Sequence, residues 1–142
     1  MAFTGNFTCN TFKTGLMNGT FNFTSGSFYL ALYTNSATLD ATTTAYTATG
    51  EASGGNYVAG GNLLTIAQAP TIGSQTGAAT SYISFSNTSW TGAITARGAL
   101  IYKAGANGAV CVLDFGADKT STATFTVQFP AVTNTSAIIR IT

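Results

Sequence analysis

Short runs in which every second residue is apolar recur along the chain, and turn-forming residues separate them. This period of two is the pattern of strands with one buried face. Phe28, Leu30 and Leu32 share one face of such a run, with Tyr29, Ala31 and Tyr33 on the other. Leu64 with Ile66, Ile83 with Phe85, Leu100 to Tyr102 and Val110 to Phe115 predict further strands. Phe125, Val127 and Phe129 alternate with Thr124, Thr126 and Gln128, and Ile138 to Ile141 predicts a closing strand. Between the runs lie Gly54-Gly55-Asn56, Gly60-Gly61-Asn62 and Asn107-Gly108, residues that tolerate positive φ and permit tight turns. Seven or eight short strands in 142 residues predict an all-β domain, a single antiparallel β-sandwich or a small Greek-key or jelly-roll-like barrel.

One segment carries the period of a helix. Over Thr11 to Met17, Phe12 and Leu16 stand four apart, Asn10 offers an N-cap, and Asn18-Gly19 a stop. The pattern divides the chain into residues 1–26, an N-terminal arm or short helical segment, and residues 27–142, the β domain. Phe3, Phe7, Phe12, Phe21 and Phe23 are spaced through the first part among Thr, Asn and Gly. Two readings fit them: an arm that anchors on a partner, or rings that complete the domain's own core. The Thr- and Ala-rich stretch 34–53 reads as a long ordered loop or edge element, because Leu39, Tyr46 and Tyr57 recur within and beyond it.

Composition changes this picture in one respect. Charged residues are 6% of the chain, against roughly 25% in an ordinary soluble domain, and histidine is absent. Threonine, with 27 copies, takes much of the vacated surface. A net charge of +1 gives no basic stripe for nucleic acid, and near-neutrality favours self-association. The longest aliphatic run, Ala109 to Leu113, is far shorter than the ~20 residues of a membrane span. The opening residues Met1 to Asn6 show no charged and apolar signal segment. The expectation is a protein assembled in a cytoplasm with the composition of an extracellular β protein, as virion proteins are.

Candidate chemistry is sparse. Without histidine a Ser-His-Asp triad is impossible, and no Ser-x-x-Lys box is present. Asp114-Phe115-Gly116 imitates a kinase metal-binding triplet in a chain too short for a kinase. Asp114 and Asp118 are too few for a Ca²⁺ site and read as a turn after a strand. Asp40 and Glu51 lie in a loop with nothing to set them at a glycosidase spacing. Cys9 and Cys111 lack zinc spacing; Cys111, alternating with Leu113 and Phe115, reads as a small buried hydrophobe, with a Cys9–Cys111 bridge as the other reading. No catalytic residue, metal ligand or cofactor is expected. The residues singled out are candidates for an interface: Phe3, Phe7, Phe12, Trp90, Arg97 and Arg140. Arg97 and Arg140 sit in apolar strand sequence and need partners if buried, Asp114 being one candidate, while alternation alone would leave them in solvent. Trp90 is a core, interface or carbohydrate-stacking residue.

Several strings together resemble a small structural protein of tailed bacteriophages, of the capsid decoration or cement type. They are Phe28-Tyr29-Leu30-Ala31-Leu32-Tyr33-Thr34, Ala41-Thr42-Thr43-Thr44-Ala45-Tyr46, Gly54-Gly55-Asn56-Tyr57-Val58-Ala59-Gly60-Gly61, Ile94 to Tyr102, Val112 to Lys119 and Gln128-Phe129-Pro130. The similarity covers about residues 28–141 and leaves 1–26 outside. The resemblance implies a homotrimer on the outside of an icosahedral shell that clamps neighbouring copies of the major capsid protein, with no membrane or nucleic-acid partner and no active site. Tail or fibre proteins share the pattern, and for them the implied role is host recognition, with glycan bound through Trp90, Tyr57 and neighbouring polar loops.

Overall fold

The computed structural model describes residues 3–73 and 79–142. It is an all-β domain with one short helix. In chain order the elements are β1 (Phe7–Thr8), α1 (Asn10–Asn18), β2 (Phe28–Tyr33), β3 (Asn62–Leu63), β4 (Ile66–Gly73), β5 (Thr80–Phe85), β6 (Thr88–Thr91), β7 (Ile94–Lys103), β8 (Ala109–Ser121), β9 (Thr124–Val127) and β10 (Ile139–Ile141). They form a five-stranded sheet in the order β1-β8-β7-β2-β3, a three-stranded sheet β10-β5-β4, and the pair β6-β9. Every pairing among them is antiparallel.

Strand β2 has the bounds its alternation predicts, but it is buried on both faces. Leu30, Ala31, Leu32 and Tyr33 are all without solvent exposure. On one face Phe28 stacks on Phe23, with ring centroids 4.4 Å apart, and packs against Phe21 and Phe85, joining the helix side to the three-stranded sheet. On the other face Tyr29 stacks on Tyr102, its neighbour across the β2–β7 register, and Tyr46 of the long loop stacks on Tyr102 in turn. The five-stranded sheet is therefore a central layer, with a phenylalanine cluster on one side and a tyrosine cluster on the other.

The N-terminal segment is part of this core. Its first two residues lie outside the described ones. Phe3, Phe12, Phe21 and Phe23 are buried, the most exposed of them at 7%, and Phe7 is half-buried in β1. The Phe3 ring fills the space that Gly98 leaves by having no side chain; a Cβ there would collide with it. Gly98 pairs with Tyr33, so Phe3 lies on the tyrosine side of the sheet, whereas Phe12 meets Phe21 and Phe23 on the other. Residues 3–26 thus complete the core from both faces, and the anchoring-arm reading is corrected accordingly. Rings this deeply buried cannot reach a partner.

Helix α1 starts one position before its expected first residue. Asn10 is its first helical residue, and Cys9, without a side-chain cap, takes the N-cap place. Gly19 ends it in the left-handed conformation (φ 78°), as the Asn18-Gly19 stop predicts. Gly15 faces inward because the Phe21 ring occupies the place of its side chain, while Leu16 is left 36% exposed. The Asn107-Gly108 turn joins β7 to β8, with Asn107 at φ 57°. Cys9 and Cys111 are free thiols, Cys9 buried and Cys111 half-buried, so no bridge joins them.

Candidate functional site

The loop between β2 and β3 carries a dense polar construction. Glu51, the chain's one glutamate, bridges back to Tyr33 at the outer edge of β2. Its Oε2 accepts a hydrogen bond from the Tyr46 hydroxyl at 2.6 Å. Its Oε1 accepts from the Tyr57 hydroxyl at 2.6 Å and from the Gly60 N–H at 2.7 Å. The Tyr57 hydroxyl also accepts from the Leu32 N–H, and the Tyr102 hydroxyl donates to the Gly60 carbonyl. Gly61 closes the loop onto β2: with φ 75°, and with a Cβ that would collide with the Leu30 carbonyl, no other residue fits.

A carboxylate with three donors pointed at it makes charge-assisted hydrogen bonds, roughly twice as strong as neutral ones. The phenols pay for this in acidity. The hydrogen bond to Glu51 pushes the Tyr46 hydroxyl up to about 12, and burial does the same for Tyr102. Burial first, then the Glu51 hydrogen bond, raises Tyr57 further, and burial raises Tyr33, whose hydroxyl donates to the Thr47 carbonyl. An unfolded tyrosine ionises near 10, so the folded state holds these protons more tightly. Their contribution to stability is complete below about pH 10 and is lost as the pH rises through about 12. The urea midpoint is expected to be steady up to about pH 10 and then to fall, with phenolate absorbance rising together with unfolding. A midpoint that stays level to about pH 12 contradicts it.

The hydroxyl protons of Tyr46, Tyr57 and Tyr102 and the Gly60 N–H are all donated within the fold, so the node holds the 34–61 loop. Sequence reasoning passed Glu51 over as an isolated loop acid. The signal was the pair of tyrosines flanking the sole glutamate at comparable distances, Tyr46 before it and Tyr57 after it.

The candidate interface residues are dispersed. Arg97 pairs with Asp114 across β7 and β8: its Nε donates to Oδ1 at 3.0 Å and its Nη2 to Oδ2 at 3.3 Å. This hydrogen bond holds the Asp114 carboxyl below the usual carboxylate range and raises Arg97. The stretch after Asp114 is a bulge inside β8 and not a turn that ends a strand. Phe115 to Asp118 stand opposite Arg97 alone, and β8 resumes pairing at Lys119. Arg140, on β10, is exposed, and its Nη1 donates to the Thr135 carbonyl. Trp90 is 2% exposed and 5.5 Å from the Tyr57 ring, so it presents no open ring face to a sugar, and its indole N–H has no acceptor among the described residues. Phe3 and Phe12 are core residues.

What the surface does present is apolar side chains at the margins of the sheets. Val58 (71% exposed) and Leu63 (59%) flank the Gly60-Gly61 turn beside edge strand β3; Ile72 (70%) is on edge strand β4, Ile141 on edge strand β10, and Met17 (85%) near the end of α1. Among the described residues no group of three or more Cys, Asp or Glu side chains is placed to hold a metal ion. No protein-family model, curated protein or solved structure matches the chain.

Proposed function

We propose that this chain is a non-enzymatic structural protein of a tailed-phage virion. Its most specific form is a capsid cement protein that binds the outer surface of the shell as a homotrimer and clamps copies of the major capsid protein. It would be assembled in the host cytoplasm and remain on the virion surface. The observation that carries the reading is a nearly uncharged β domain with the exposed apolar side chains Leu63, Ile72 and Ile141 on its edge strands β3, β4 and β10. Charge is not available to keep such edges apart, and edges left unguarded call for partners. The internal use of charge points the same way. Glu51 and Asp114 are consumed by Tyr46, Tyr57 and Arg97, and Asp40 accepts hydrogen bonds from its own turn at Thr42. The resemblance in residues 28–141 supplies the virion.

Trp90, one of the two rings named for host recognition, is buried, and we put the shell reading first. Purified protein added to expanded, empty shells of its phage is expected to raise their resistance to heat, because a ligand that binds only the assembled lattice stabilises it by mass action. Binding is expected to saturate at a fixed number of trimers per lattice unit. Unchanged shell stability, with labelled protein found only on the tail, overturns the reading.

A further inference from the structure

The five-stranded sheet ends at β1 and the three-stranded sheet ends at β10, and one cavity of about 430 Å³ lies between these two ends. It is lined by Thr8 of β1, by all three residues of β10, and by α1 through Phe12 and Leu16. Successive residues of a strand point to opposite faces. A cavity that touches Ile139, Arg140 and Ile141 alike therefore runs along the edge of β10 and not over one of its faces. Among the described residues β10 pairs with β5 alone and β1 with β8 alone, so each has backbone groups with no strand partner there on its other side.

Charge adds a second, independent constraint. Lys13 of α1 and Arg140 of β10 both line the groove, and no Asp or Glu side chain does. Two of the chain's five cations meet here, and neither forms an ion pair among the described residues. We infer that this groove receives an extended segment of another protein, alternately apolar and acidic, as an added strand between β1 and β10. Its backbone would pair with the open edges, its apolar residues would meet Leu16 and the β10 isoleucines, and its carboxylates would meet Lys13 and Arg140. On the cement reading above, on which this identification of the partner rests, the segment belongs to the shell protein.

A second copy of the chain is a poor occupant. Pairing β10 with β10 brings two arginines together, and like charges placed across strands are destabilising. Nor does the chain offer an acidic strand of its own. Glu51 and Asp114 are held by internal partners, Asp40 is in its own tight turn, and Asp118 lies in the β8 bulge.

The test is selection of peptides from a random library of roughly ten-residue sequences, about one strand with its flanks, on the immobilised full-length chain. Enriched sequences are expected to alternate apolar residues with Asp or Glu. The strongest, made synthetically, is expected to protect the amides of Thr8 and Ile139 to Ile141 from hydrogen exchange. Lys13→Glu, a change on an exposed helix position that leaves thermal stability as it was, is expected to weaken its binding at least tenfold. No enrichment, enrichment of basic sequences, protection at other strands, or equal binding to Lys13→Glu overturns the inference. Protection of β10 in the free chain at high concentration overturns it in favour of a second copy. If selection succeeds while shells are not stabilised, the groove stands and the cement reading falls; the reverse pair of results removes the groove alone.

Discussion

Deleting residues 1–26 is expected to abolish folding. The segment contributes Phe3, Phe12, Phe21 and Phe23 to the core, each at most 7% exposed, together with the buried Cys9 and the β1 strand that pairs with Val112 and Cys111. Truncating one buried phenylalanine to alanine costs about 3–5 kcal/mol. Losing four removes most or all of the roughly 5–15 kcal/mol by which a whole domain is stable, even if the costs add only in part. The loss is also two-sided, since Phe3 covers the tyrosine face of the sheet and the other three rings cover the opposite face. The truncated chain should lack a cooperative thermal transition and the dispersed amide spectrum of a folded domain. The single change Phe12→Ala grades the same effect, with an expected loss of about 3 kcal/mol in urea unfolding. A truncated chain that melts cooperatively at the full-length temperature would mean the segment is a detachable arm after all.

The strands visible in the sequence are those where apolar alternation runs long enough to stand out: β2, β5, β7, the first part of β8, β9 and β10. The rest were hidden for separate physical reasons. Strand β6 has Trp90 as its one large apolar residue, and its place comes from pairing with β9, not from a pattern of its own. β1 and β3 are two-residue strands, too short to show any period. Leu64 with Ile66 marks only the start of β4, Leu64 itself lying outside it, and Pro70 further along argues against a central strand and fits the edge position that β4 occupies. Alternation also could not tell that β2 is covered on both faces, because tyrosine is equally at home half-exposed or buried with its hydroxyl bonded. Of the candidate interface residues, Arg97 had Asp114 as a candidate partner because an enclosed guanidinium demands an acid and few acids exist, although alternation alone fitted solvent equally well. The phenylalanines of residues 3–26 were ambiguous for a simpler reason: spacing within a polar matrix does not reveal whether the rings turn toward the domain or away from it. Glu51 was invisible because its partners meet only after the Gly54-Gly55 turn and the Gly60-Gly61 turn have folded the loop back on β2.

Replacing Glu51 with alanine is expected to cost about 3 kcal/mol, or roughly 10 °C of melting temperature in a chain of this size. The change strands two tyrosine hydroxyls and the Gly60 N–H at once, and each part-buried donor left without an acceptor costs about 1–3 kcal/mol. Water reaches some of them, Tyr46 above all, which keeps the total near the lower end. Glu51→Gln is expected to cost about half as much. Its amide oxygen still serves Tyr57 and Gly60, but its NH2 group faces the Tyr46 hydroxyl as a donor and removes that acceptor. Tyr57→Phe should exceed Tyr46→Phe in cost, because the Tyr57 hydroxyl also satisfies the Leu32 N–H in the central sheet. The acidities separate this account from simple loss of packing. The hydrogen bond from Tyr46 to Glu51 is the main reason the phenol is pushed up to about 12, so in Glu51→Ala it should fall back toward 10. Tyr102, raised chiefly by burial, should move less. Equal shifts at both tyrosines, or a Glu51→Ala protein as stable as the parent, would show that the loop is held by its ring stacking and its Gly61 closure, with the carboxylate a bystander.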